Sequence, residues 1–192
     1  MEFENEKKTL IFCVCGKAGS GKSLVGKYIQ EEYIKKNKKV IISPYTKYLK
    51  KYIEEITGKK ITDKNKPRTL LQKLSSKLIK EKLGYKNLFI NRQIEDISIY
   101  KYFFDVIIIP DVRFPNEIEN LKDKFKNVIS ICVKRKNYDN GLTKQEKNDI
   151  TETSLNNYHN FDYILDNQGN KTLKNDIINI IEIIEKRKNK NE

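Results

Sequence analysis

Leu10-Ile-Phe-Cys-Val-Cys15 runs straight into Gly16-Lys-Ala-Gly-Ser-Gly21-Lys22-Ser23, and this junction decides how the chain is read. A continuous apolar run of that length suits a strand covered on both faces, as in a parallel sheet. Beyond Ser23, Leu24, Val25, Tyr28, Ile29 and Tyr33 recur at helical spacing, so the order is strand, glycine-rich turn, helix. The turn matches G-x-x-x-x-G-K-[ST], the phosphate-binding P-loop. Glycines let the backbone wrap tightly enough for successive N–H groups to point inward at phosphate oxygens. The partly positive N-terminus of the following helix adds to that field. Gly16, Lys17, Ala18, Gly19, Ser20, Gly21, Lys22, Ser23 and Leu24 are therefore expected to bind ATP. Lys22 would reach the β- and γ-phosphates, and the Ser23 hydroxyl would ligate Mg²⁺.

Outward from this junction the alternation continues. Short strands are expected at 40–42, 106–109, 128–133 and 161–165, with amphipathic stretches between them. That pattern predicts an α/β fold, a three-layer α/β/α sandwich on a five-stranded parallel sheet. Ser43-Pro44 reads as an N-cap and first helical residue, ahead of Tyr45, Tyr48, Leu49, Tyr52, Ile53 and Ile56, with Gly58 as the stop. Residues 59–66 read as a loop. Pro67 opens a helix with Leu70, Leu71, Leu74 and Leu78 on its stripe, and another helix is expected over about 88–102. Pro115 opens one carrying Ile118, Leu121 and Phe125. The last helix carries Leu173, Ile177, Ile180, Ile181 and Ile184, ahead of a frayed basic tail. Residues 134–150 are polar and charged, with one glycine, and read as a mobile excursion. No repeat or linker is evident, so residues 1–192 read as one domain.

Composition narrows the class. The 192 residues hold 39 Lys+Arg against 26 Asp+Glu, a formal charge of +13. At 38% hydrophobic and 10% aromatic, the chain is too apolar for a disordered basic protein. No apolar run approaches the roughly 20 residues of a membrane span, and the first ten residues lack the features of a secretory signal. Cys13, Cys15 and Cys132 are too few for a disulfide framework and read as small core residues; the single His159 reads as a surface or hinge residue. A cytoplasmic protein is expected. Much of the charge reads as a solvated lysine surface, so no stable nucleic-acid binding is expected.

A P-loop also calls for a carboxylate at a neighbouring strand end to hold the metal's water shell, and Asp111 after the VIIIP run is the candidate. Arg113, two residues on, could fork onto a phosphate or pair with Asp111.

At Asp111-Val-Arg113-Phe-Pro-Asn-Glu117 the sequence, together with the P-loop, resembles the phage-type deoxynucleoside monophosphate kinases, which are related to the animal-type phosphomevalonate kinases. The likeness covers roughly residues 9–185. Tyr45-Thr-Lys-Tyr-Leu-Lys50 is similar to the family's aromatic-Ala-x-x-Leu-Lys segment. Arg68-Thr-Leu-Leu-Gln72-Lys-Leu-Ser75-Ser76 resembles its Arg-x-x-x-Gln-x-x-Gly-Thr helix. Thr151-Glu152-Thr-Ser-Leu resembles the stretch after its lid, and Asp162-Tyr-Ile-Leu-Asp-Asn167-Gln-Gly169 its last strand and turn.

The resemblance implies an acceptor-binding helical region over about 44–102 and a lid over about 134–152. It implies that Lys50, Arg68, Gln72, Ser76, Arg113 and Glu117 bind the acceptor, with Gln72 on a base edge and Arg68 on its phosphate. Lys22, Asp111, Arg113 and the lid's Arg135 would act in catalysis, and Asn167 would lie near the donor's adenine. Mg²⁺ would sit between Ser23 and Asp111, and the protein would be a homodimer. Two departures from the pattern bear on substrate choice: Ser75-Ser76 stands where the family has Gly-Thr, and Asp149 where it often has His. A kinase of another small phosphate, of the phosphomevalonate or dephospho-coenzyme A type, keeps the same P-loop. A nucleic-acid-binding NTPase is the third reading, and it would need a contiguous basic stripe.

Overall fold

Every residue from Leu10 to Cys15 is buried, because this strand lies at the centre of the sheet with a layer on each face. In the computed structural model the described residues are 8–62, 67–136 and 138–190, without the side chains of Arg68 and residues 188–190. In chain order the elements are β1 (Leu10–Cys15), α1 (Lys22–Lys35), β2 (Val40–Ile42), α2 (Thr46–Thr57) and α3 (Arg68–Gln72). A π-helix (Lys73–Lys82) follows, then α4 (Leu88–Tyr100), β3 (Val106–Val112), α5 (Pro115–Lys124) and β4 (Val128–Lys134). The chain ends with α6 (Lys144–Lys147), α7 (Ile150–Thr153), β5 (Tyr163–Asp166) and α8 (Asn170–Lys190). The five strands are parallel in the order β2-β3-β1-β4-β5.

The two faces of β1 seed two cores, as strand alternation requires. Phe12 and Val14 pack with Val25, Ile29 and Tyr33 of α1 and with Leu173, Ile177 and Ile181 of α8. Ile11, Cys13 and Cys15 face Ile90 and Ile97 of α4 and Ile118 and Leu121 of α5. A third, smaller cluster joins Leu49 and Ile53 of α2 to Leu71 and Ile79, so the helical region from α2 to the π-helix has its own core. All three cysteines are free and buried, and burial pushes the Cys13 and Cys15 thiols far above their usual range. They are inert core residues.

Four local expectations are corrected. β3 does not close at Pro110: Cys13 pairs with Ile109 and Cys15 with Val112, so Val14 opposes both Pro110 and Asp111 in a bulge. A bulge accommodates a proline that has no N–H to give to the ladder. Helix α2 begins at Thr46, and its cap is not Ser43. The Ser43 hydroxyl instead accepts from Gln93 Nε2 at 3.0 Å and from Lys47 Nζ at 3.0 Å, tying the end of β2 to α4 and α2. The stripe after Pro67 is shifted: Leu71 and Ile79 are buried, while Leu70 and Leu78 are exposed. An α-helical period does not survive the wider turns of a π-helix. Finally, the basic tail continues α8 to Lys190.

Candidate active site at the carboxyl ends of the strands

The loop between β1 and α1 is built on glycines with positive φ, at 140° for Gly16, 74° for Gly19 and 109° for Gly21. A side chain on any of the three would clash, and a Cβ on Gly19 would lie 2.4 Å from Tyr138 Cε1. A Cβ on Gly16 would lie 2.3 Å from the Val133 carbonyl oxygen, and one on Gly21 would lie 2.6 Å from Asn167 Nδ2. Lys22 folds over the loop, its ammonium donating to the carbonyls of Gly16 at 2.8 Å and Lys17 at 2.7 Å. The Ser20 hydroxyl is buried in the loop without a hydrogen-bond partner. A cradle lined by glycines, one ammonium, the start of a helix and an orphaned hydroxyl fits a polyphosphate. Ser23 stands exposed in the first turn of α1, a neutral oxygen donor suited to a hard cation. Among the described residues no cluster of three or more His, Cys, Asp or Glu could hold a metal alone, so a bound Mg²⁺ would need phosphate oxygens and water as further ligands.

The end of β3 does more structural work than its motif suggests. Asp111 does not pair with Arg113. Its Oδ1 accepts from the Tyr45 N–H at 2.8 Å, and Oδ2 accepts from the N–H and hydroxyl of Thr46 at 3.0 and 2.6 Å. It is the N-terminal cap of α2, supplied from 65 residues away in sequence. Glu117, expected to bind the acceptor, is buried, with Oε2 accepting from the N–H groups of Arg113 (2.7 Å) and Phe114 (3.1 Å). It shapes the turn that presents Arg113. Burial pushes its carboxyl up to about 7, against the opposing effect of those two hydrogen bonds. The ammonium of Lys80, from the π-helix, lies 3.8 Å from the Phe114 ring centroid, and burial lowers its affinity for a proton.

Arg113 reaches the P-loop. Its Nη1 donates to Glu152 Oε1 at 2.7 Å and to the Gly16 carbonyl at 3.3 Å. The polar excursion does not float free. Arg135 donates from Nη1 to the Gly19 carbonyl at 3.4 Å, and its guanidinium stacks on Tyr138, 3.8 Å from the ring centroid. The Tyr138 ring lies against Gly19, and Asn140 Nδ2 donates to the Ala18 carbonyl at 3.3 Å. Two short capped helices follow: Thr143 caps α6 and Asp149 caps α7. A cavity of about 470 Å³ opens beside the loop, between Lys17, Val133, Arg135, Glu152, Leu155 and Tyr158.

The structure thus gathers Lys22, Arg113 and Arg135 around one glycine-built loop. Asn167, expected near the donor's adenine, donates from Nδ2 to the Ser20 carbonyl at 2.8 Å, fastening the β5–α8 turn to the P-loop. Lys50, Gln72 and Ser76 are half-buried on α2, α3 and the π-helix. The side chain of Arg68 lies outside the described residues. Sequence reasoning gave no role to Tyr138, Asn140 or Lys80 and no partner to Glu152. Tyr138, an aromatic in an otherwise polar stretch, was the one signal available.

The sequence matches no family model and no curated protein. Its fold is nevertheless shared with solved kinases. An APS kinase from Mycobacterium tuberculosis, in complex with AMPPNP and APS, is 9% identical over 93% of this chain and 99% of that one, with a TM-score of 0.56. A sugar kinase from a Janibacter species is 12% identical over 91% and 95%, with a TM-score of 0.53. A shikimate kinase from Bacteroides thetaiotaomicron is 14% identical over 92% and 98%, with a TM-score of 0.50. At these identities the likeness establishes the fold alone, a five-stranded parallel sheet flanked by helices. Among the described residues no helix is long and apolar enough to cross a membrane.

Proposed function

We propose that this protein is an ATP-dependent kinase that moves the γ-phosphoryl of Mg·ATP to a deoxynucleoside monophosphate, giving ADP and the diphosphate. The observation that carries the reading is the convergence of Lys22, Arg113 and Arg135 on one glycine-built cradle. Phosphoryl transfer asks a protein for in-line positioning and charge stabilisation rather than a covalent nucleophile, and this site offers cations and backbone donors. Lys22 would leave its loop carbonyls for the β- and γ-phosphates. Arg113 would face the transferring group from the end of β3, and Arg135 from the lid. Tyr138 and Asn140 would help keep water from the phosphates, which would otherwise be hydrolysed. Ser23 would hold Mg²⁺ directly, and Asp111, already accepting from Tyr45 and Thr46, would contribute through a water. The ion would neutralise phosphate charge.

The nucleotide acceptor rests on the resemblance of the Arg68–Ser76 helix, with Lys50 beside it. A homodimer in the cytoplasm is part of the same reading. Gln72→Ala tests the acceptor assignment: the acceptor's KM should rise and the preference among bases change, with kcat little altered. Unchanged kinetics with every nucleotide would refute this pocket, and ADP formed only with phosphomevalonate or dephospho-coenzyme A would refute the substrate class.

A further inference from the structure

Glu152 is where the P-loop, the end of β3 and the lid base meet. Its side chain is only 8% exposed, and both of its oxygens are used. Oε1 accepts from Arg113 Nη1 at 2.7 Å, and Oε2 accepts from the Ala18 N–H at 2.8 Å. The same Nη1 also donates to the carbonyls of Gly16 at 3.3 Å and Thr151 at 3.5 Å. The Arg113 backbone is held as well: its N–H by Glu117 at 2.7 Å and its carbonyl by the Ser154 hydroxyl at 2.5 Å. Arg113 is therefore gripped by its main chain and by one nitrogen of its guanidinium.

We infer that Glu152 is a positioning residue for phosphoryl transfer, acting through Arg113. An unrestrained arginine spreads over many rotamers, whereas one clamped at Nη1 presents its remaining donors in a set direction. The same carboxylate anchors the base of the lid to the P-loop through Ala18, so α7 and the phosphate cradle move as one piece. Both bonds need a carboxylate. An amide offers one acceptor and turns an N–H toward the second donor, so Glu152→Gln loses one of the two contacts while keeping the size of the side chain. This inference rests on the kinase reading above, and its test separates the two.

The test is a double-mutant cycle of Glu152→Gln with Arg113→Ala, with thermal unfolding recorded to show that each variant is folded. In acceptor-dependent ADP release, Glu152→Gln should lower kcat by about ten- to a hundredfold in the parent protein, the scale of a misplaced catalytic group. In the Arg113→Ala background it should have almost no further effect. Equal factors in both backgrounds, or an unchanged kcat in the parent, would overturn the inference. The cycle is read a second time in MgATP affinity without acceptor, where the two substitutions should again be non-additive. A protein that phosphorylates no acceptor refutes the kinase reading. The affinity cycle then still decides for Glu152 if non-additive and against it if additive.

Discussion

Replacing Glu117 by Gln should change the way stability depends on pH. Its buried carboxyl is raised to about 7, from an unfolded value of about 4.3–4.5. Well below pH 4.5 both states carry the proton, and the group adds no pH dependence. Between pH 4.5 and 7 the folded protein retains a proton that the unfolded chain has lost, so this group's contribution to stability falls as pH rises. Above about pH 7 the cost of holding a buried carboxylate is constant. Integrated from pH 5 to pH 8, the loss is about 2–3 kcal/mol, at roughly 1.4 kcal/mol per unit of pKa difference. Gln keeps a carbonyl oxygen to accept from the Arg113 and Phe114 N–H groups, and it does not titrate. Urea unfolding of parent and Glu117→Gln at pH 5, 6, 7 and 8 should show the difference between them shift by about 2–3 kcal/mol in favour of the variant as pH rises. Parallel pH–stability curves would refute the reasoning, because only Glu117 differs between them.

Three further substitutions follow, two in the P-loop and one, at Gly141, outside it as a reference. Lys22→Ala should reduce turnover by about a thousandfold or more in a steady-state assay, the scale expected when a preorganised cation is removed from a phosphoryl-transfer site. Gly141→Ala, at φ 65° with open space around it, should cost about 1 kcal/mol in urea unfolding. Gly16→Ala, whose Cβ would meet the Val133 carbonyl at 2.3 Å, should exceed that by about 2 kcal/mol; equal costs would show that close packing of β4 does not restrict Gly16.

The parts of this fold that were legible in sequence are those governed by near neighbours. β1 is an unbroken apolar run, β4 is an apolar run interrupted by Ser130, α8 has a clean helical period, and the P-loop is a local pattern whose glycines lie where positive φ demands them. What escaped the reading depends on residues distant in the chain. Ser43-Pro44 has the composition of a helix start, yet α2 is capped by Asp111 because the bulge at Pro110 and Asp111 brings that carboxylate alongside. The π-helix follows packing of Leu71 and Ile79 against α2, which no local periodicity encodes. At the site, Lys22, Arg113 and Arg135 all donate to carbonyls of the P-loop. Asp111, Glu117 and Asn167 also hold backbone, because buried N–H and carbonyl groups at strand ends require partners that sequence spacing does not reveal. Of the cations behind the net charge of +13, Lys22, Arg113 and Arg135 face the cradle.

The central claim is tested most directly by following the γ-phosphate itself. The protein, Mg²⁺ and γ-labelled ATP are incubated with each deoxy- and ribonucleoside monophosphate, and the products are separated. The account predicts label in the diphosphate of at least one deoxynucleotide, and none when Lys22 is replaced by Ala. Label appearing only as inorganic phosphate, whatever acceptor is present, would contradict it.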